Sequence, residues 1–221
     1  MPHFFARRQG DRVEIDGADA SHLALSLRAR PGELIQVLDP PERRLTVRLQ
    51  LVSRDLVTGL IEEEEVHRPE PQSRITLALA QLPAAQLDLS LARCTELGAH
   101  AFLIVSAERS IARGANLRRW SAVCREAAML AGGFHVPEVQ GPIKLTALDQ
   151  AVLLHAGAPT PLRSIAAPRD VTLAIGPEGG WSQAELSWAG SRQASMGARN
   201  LRAENAAASA LTIALSVRAE L

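Results

Sequence analysis

Hydrophobic and polar positions repeat with two different periods in the two parts of this chain. Up to about residue 70, apolar residues recur at every second position in RVEIDG, ARPGELIQVLD, RRLTVRLQLV and VTGLIEEEEV, each bounded by Gly, Pro or Asp. Alternation of this kind puts successive side chains on opposite faces of a strand, which predicts a small β-barrel or sandwich. SHLALSLR, residues 21–28, is the one segment there with helical spacing, and HRPEPQS, residues 67–73, reads as a linker. Beyond it the texture changes. ITLALA (75–80), AFLIV (101–105), VLLH (152–155) and VTLAI (171–175) have the length and apolar content of buried strands. Between and after them lie helical patterns at 85–98, with Leu87, Leu91 and Cys94 on one face, at 117–133, and at 204–220. Strands alternating with helices imply an α/β fold with a mainly parallel sheet covered on both faces.

The most informative corner is LAIGPEGGWSQAE, residues 173–185. A strand runs into a glycine-rich bend, and Ser182 with Glu185 then gives the S-x-x-E capping box that opens a helix. Corners of this kind at the carboxyl ends of parallel strands expose backbone groups to a ligand. The same letters also suit a plain tight turn in which Gly179 and Gly180 adopt positive φ. Dinucleotide and phosphate loops need G-x-G-x-x-G or G-K-[ST]; here Pro177 removes an amide and Glu178 adds a negative charge, so a neutral or cationic ligand fits better than a phosphate.

Composition narrows the class without choosing the chemistry. The chain has 221 residues, 47% of them hydrophobic, with zero formal net charge. No apolar run reaches about 18 residues, and MPHFFARRQGD lacks the core of a signal peptide, so a cytoplasmic protein without a membrane partner is expected. Cys94 and Cys124 have no C-x-x-C spacing, which predicts buried thiols and no metal site. Lys144 is the only lysine, and arginines cluster at Arg7 and Arg8, Arg28 and Arg30, and Arg43, Arg44 and Arg48, a pattern open to RNA phosphates despite the neutral total. Glu62 to Glu65 reads as a solvated acidic face.

A second stretch, MGARNLRAENAAASAL (196–211), sets Arg199, Arg202 and Glu204 beside an apolar helix in which Ala207, Ala210, Leu211, Ala214 and Leu215 share a face. Charges in such a place either pair with one another or point into a site. Together, IGPEGGWSQAE and LRAEN-A-A resemble the signatures of the bacterial family that methylates N3 of a uridine in small-subunit ribosomal RNA, within the SPOUT class of methyltransferases. CTELGA (94–99), AERS (107–110), HVPEV (135–139), LLH (153–155) and the N-terminal HLALSLRARPGELIQVLD extend the resemblance over essentially the whole chain.

The resemblance implies a PUA-like RNA-binding β-barrel over residues 1–70 and a trefoil-knotted SPOUT domain over 74–221. It implies a homodimer, S-adenosylmethionine as cofactor, and small-subunit ribosomal RNA or the assembled subunit as partner. Matched position by position, the cofactor contacts are Leu153, His155, Gly176, Pro177, Glu178, Gly179, Gly180, Met196, Gly197, Asn200, Leu201 and Arg202. Arg202 and Glu204 are the candidates for chemistry, and Arg7, Arg28, Arg43, Arg93 and Arg109 for RNA contact. The chain departs from the pattern where the family carries polar groups, at Met129, Leu130 and Gly133, at Pro83 and Gln86, and at Ala203 and Asn205 beside the glutamate. Two further readings are a non-catalytic RNA-binding or ribosome-assembly protein with the same fold, and a nucleotide-dependent enzyme, which the missing lysine and G-x-G spacing disfavour.

Overall fold

The period-two segments do pair as antiparallel strands. A computed structural model of the chain describes residues 3–165 and 170–220. The chain divides into two compact units: one runs to Glu70 and includes Ala128–Phe134, the other comprises Pro71–Ala127 and the chain from His135 onward.

In the first unit, β1 (His3–Phe5), β2 (Arg7–Gln9), β3 (Arg12–Asp16), β4 (Leu34–Asp39), β5 (Arg43–Val52) and β6 (Leu56–Val66) form one sheet in the order β1-β4-β5-β6-β3-β2. The β1–β4 pair is parallel and the others are antiparallel. β1 and β2 lie at opposite edges, yet Ala6 alone separates them in the chain, so the sheet curls until its edges approach. Register shifts in β5 at Thr46/Val47 and Leu49/Leu51 sharpen that curl. Phe4, Val13, Ile15, Val37, Leu45 and Val47 fill its inner face. α1 (Gly17–Ser21) continues into a π-helical turn at His22–Ser26, so the helical run starts earlier than the 21–28 pattern predicts. Its first residues, GADA, are too small and polar to carry a periodic signal.

The segment 128–134 explains one departure from the family pattern. Met129 packs into this unit's core, and its carbonyl accepts a hydrogen bond from His3 Nδ1 at 3.1 Å. His67 Nε2 donates to the Gly132 carbonyl at 3.2 Å. A Cβ at Gly133 would lie 3.4 Å from the Glu70 carboxylate, while Leu130 stays exposed. At position 129 an apolar side chain is thus a packing choice.

In the second unit, β7 (Arg74–Ala80), β8 (Ala101–Ser106), β9 (Glu138–Lys144), β10 (Val152–Leu154), β11 (Asp170–Ile175) and β12 (Gln193–Ala194) form an all-parallel sheet in the order β12-β10-β11-β7-β8-β9. The helices are α2 (Ala84–Glu96), α3 (Leu117–Ala131), whose last residues belong to the first unit, α4 (Gln183–Ala189) and α5 (Ala203–Ser216). Alternation along β7 sorts the core. Ile75, Leu77 and Leu79 join the cluster that includes Leu87, Leu91 and Cys94 of α2 and Ala207 and Leu211 of α5. Ala78 and Ala80 face the other way, toward Trp181 and Ala189. β9 and β12 were not expected from the pattern. β9 holds Gly141 and Pro142, which interrupt a strand signal and are tolerated because β9 is an edge. Both cysteines are buried free thiols, and burial pushes the Cys94 thiol up to about 12. Among the described residues no helix is long and apolar enough to cross a membrane.

Candidate active site

Adjacent parallel strands β10 and β11 end side by side, Leu154 opposite Ile175, and the chain leaves β11 through the glycine-rich bend. Gly180 N donates to the Pro177 carbonyl at 2.8 Å, and Gly180 has φ +68. Gly179 is not in the left-handed region, so the expectation of positive φ there is corrected; a Cβ at Gly179 would instead lie 3.3 Å from Arg109 Cβ. Gly176 packs against an indole: its Cβ would sit 3.1 Å from the Trp181 ring, and Trp181 Nε1 donates to the Leu154 carbonyl at 3.2 Å. The capping box closes as the sequence predicts. Glu185 N donates to Ser182 Oγ at 3.3 Å, and Ser182 N to Glu185 Oε2 at 2.7 Å.

These strand ends, the bend and the loop before α5 enclose a cavity of about 360 Å³. Its walls include His155, all of Gly176 to Gly180, Met196, Gly197, Asn200 and Leu201. The apolar floor comes from Leu154, Ile175, Trp181, Ala203 and Ala206, none of them among the cofactor contacts expected from the sequence. Leu153 is buried in the core beside it, one residue from the wall. Arg202 and Glu204 do not line the cavity. Arg202 is the exposed N-cap of α5, set between the lining residues Leu201 and Ala203, and Glu204 lies in the first helical turn, 8% exposed. A carboxylate there meets the positive end of the helix.

Two polar arrangements around the cavity carried no sequence signal. Gln193 Nε2 donates to the Leu186 and Gly190 carbonyls at 2.9 and 2.7 Å. With its amide hydrogens committed, Gln193 Oε1 is the acceptor toward His155 Nε2 at 2.8 Å, so Nε2 carries the proton. Glu185 also has a second duty: its Oε1 accepts from Glu108 N at 2.9 Å, and Arg109 of the same turn donates to the Gly179 carbonyl at 3.0 Å. The AERS turn is thereby clamped to the glycine-rich bend. Only the capping half of Glu185 was legible, because the spacing S-x-x-E is local.

The arginines expected to face RNA differ among themselves. Arg7 pairs with Asp16 at 2.6 Å and Arg43 with Glu64 at 3.3 Å, while Arg93 donates to Asn205 Oδ1 at 3.1 Å. Arg28 is exposed at φ 54. Glu62, Glu64 and Glu65 serve as partners of Arg48, Arg8, Arg43 and Arg44 on the curled sheet, so the acidic run is more than a solvated face. Among the described residues no group of three or more His, Cys, Asp or Glu is placed to hold a metal ion.

A family model described as an RNA methyltransferase domain matches residues 68–215. Ribosomal RNA small subunit methyltransferase E of Mycobacterium bovis is 32% identical, over 89% of this chain and 83% of that protein. The protein of the same name from Bacillus subtilis is 27% identical, over 100% of this chain and 98% of its own. A crystal structure of ribosomal RNA small subunit methyltransferase E from Neisseria gonorrhoeae, bound to S-adenosyl methionine, superimposes with a TM-score of 0.85 at 26% identity, covering 98% of each chain. A cavity built at the ends of parallel strands by the two stretches that carry the resemblance, together with these matches, places the chain in the RNA methyltransferase family, alongside the small-subunit ribosomal RNA methyltransferases E.

Proposed function

We propose that this protein transfers a methyl group from S-adenosylmethionine to N3 of a uridine in small-subunit ribosomal RNA. The observation that carries the reading is the cavity itself: GPEGG and MGARNL, distant in sequence, wall one space whose volume lies within the roughly 300–1,000 Å³ of small-molecule sites. The lining suits the cofactor. Leu154, Ile175, Ala203 and Ala206 give apolar surface for an adenine, backbone groups of the bend offer hydrogen bonds, and Glu178 favours a cation over a phosphate. When bound, S-adenosylmethionine supplies an electrophilic methyl group on a sulfonium.

The residues of this chain would then position the partners. Gly176 to Gly180 and the 196–201 loop hold the cofactor largely through backbone, with Trp181 keeping the bend rigid. His155, fixed by Gln193, presents a set tautomer at the wall. Arg202 and Glu204, at the start of α5, would face the uracil, where the guanidinium stabilises the imide anion left when N3 gives its proton to solvent. Most of the acceleration expected comes from holding donor and acceptor in line.

The same reading takes the second unit as a trefoil-knotted SPOUT domain over residues 74–221, and the curled sheet of residues 1–70 as a PUA-like module that adds RNA affinity through Arg7, Arg28 and Arg43. Arg93 and Arg109 would contact RNA nearer the cavity. A homodimer with a shared site completes it, supported by the apolar breadth of α5. The test is expression in a strain lacking its own uridine-N3 methyltransferase, with nucleosides read by mass spectrometry. N3-methyluridine that disappears on Arg202→Ala is expected. A methyl group on another base, or cofactor binding without transfer, would refute the assignment.

A further inference from the structure

Ile111 is 93% exposed, at the outer end of the irregular segment between β8 and α3. Single exposed aliphatic residues are ordinary on protein surfaces. What sets this one apart is the rigidity beneath it. On one side the AERS turn is held by Glu185 through the Glu108 amide and by Arg109 on the Gly179 carbonyl, with Ser110 buried and its amide donating to the Ala107 carbonyl at 3.1 Å. On the other side the buried Gln81 donates to the Gly114 carbonyl at 3.0 Å and accepts from Ser106 Oγ at 2.9 Å. Arg113 turns back onto the carbonyls of Ser110 and Ala112. A β-branched side chain with a stiff χ1 therefore projects from a braced loop whose base touches the cavity wall at Gly179.

We propose that Ile111 is a wedge that enters the base stack of the RNA next to the target uridine and keeps that base extruded toward the cavity. The inference rests on the proposed methyl transfer to uridine. N3 lies on the Watson–Crick edge, so pairing hides it, and an enzyme that must seat this edge in a cavity takes the base from a single strand or extrudes it from its neighbours. Proteins that open stacks do so with aliphatic or aromatic side chains inserted between bases, flanked by cations that hold the backbone. Ile111 has that setting, with Arg109 two residues before it and Arg113 two after. The guanidinium flanks favour a polyanion over an apolar protein surface as the occupant.

The test compares the full-length protein with its Ile111→Ala and Ile111→Leu variants in single-turnover transfer of a labelled methyl group to small-subunit RNA at saturating RNA. Ile111→Ala should slow transfer about tenfold, since stabilisation of the opened stack is lost, and Ile111→Leu should stay within about threefold because it conserves volume. Cofactor affinity by calorimetry and sedimentation should be unchanged in both. Wild-type transfer rates in Ile111→Ala overturn the wedge. So does a change in oligomeric state, which would assign the side chain to contact with a second copy. If the unmodified protein binds S-adenosylmethionine yet methylates no RNA, the proposed function fails first and the wedge falls with it.

Discussion

Replacing Glu185 by alanine removes one carboxylate and leaves two backbone amides without their acceptor. Oε2 accepts from Ser182 N at 2.7 Å and Oε1 from Glu108 N at 2.9 Å. Hydrogen bonds to an ionised acceptor contribute about 1.5–3 kcal/mol each, and an N-terminal cap about 1 kcal/mol. The carboxylate is half-buried, so solvent screens it and water replaces part of what is lost. We therefore expect Glu185→Ala to destabilise the protein by about 2–3 kcal/mol. Glu185→Gln separates the contributions. Its side-chain oxygen serves one amide, while its NH2 faces the other, so about half the loss should remain. Equilibrium urea unfolding followed by tryptophan fluorescence reads both as lower midpoints at an unchanged slope. Cofactor affinity should fall in step with stability, because the clamp sets the bend that walls the cavity. A Glu185→Ala protein within about 0.5 kcal/mol of the wild type would refute the reasoning, as would a glutamine variant no better than the alanine one.

Gly176→Ala should weaken S-adenosylmethionine binding by at least about tenfold, roughly 1.4 kcal/mol, because its Cβ would press on a Trp181 ring pinned to the Leu154 carbonyl; calorimetry checks it. In salt titrations of RNA binding, Arg28→Ala should reduce the slope by about 0.7–0.9, whereas Arg43→Ala should reduce it less, since Arg43 already faces Glu64. Burial lowers the pKa of His3 below its ordinary value of 6.5. The folded state thus favours neutral His3, and the stability this contributes is complete above about pH 6.5 and lost as pH falls through the lower folded value. An NMR titration of the His3 ring should give a midpoint below that of an unfolded peptide. Cys94, held protonated up to about 12, should resist alkylation at pH 8 until the protein unfolds.

Elements whose signal is local were readable from the letters. The buried strands β7, β8 and β11 showed as apolar runs, and the capping box of α4 showed as a four-residue spacing. The walls of the cavity were reached through the resemblance, since no spacing links Gly176 to Met196. What stayed hidden was relational. β9 carries Gly141 and Pro142 and is a strand because a neighbour pairs with it. Gln193 matters through the partners its amide finds, and Glu108 enters the site by its backbone, which every residue has. The arginine clusters were plain in the sequence, yet their pairing with Glu62, Glu64 and Glu65 depends on the register of β5, β6 and β2 across the curled sheet.

The placing of β11 between β7 and β10 sets the order in which this protein can become functional. Its partner β7 is the first strand of its unit, with Asp170 opposite Arg74, so the central pairing of the sheet joins segments far apart in the chain. Closing so long a loop is entropically unfavourable before packing compensates, and topologies of this kind fold slowly. The glycine-rich bend hangs from the carboxyl end of β11, and α5 follows it. Until that strand is seated there is no cavity for a small molecule to enter. A cofactor that binds the finished cavity recognises the completed fold alone, and by mass action it lengthens the life of that state. Refolding in the presence of cofactor should accordingly leave the folding rate unchanged and slow the unfolding rate.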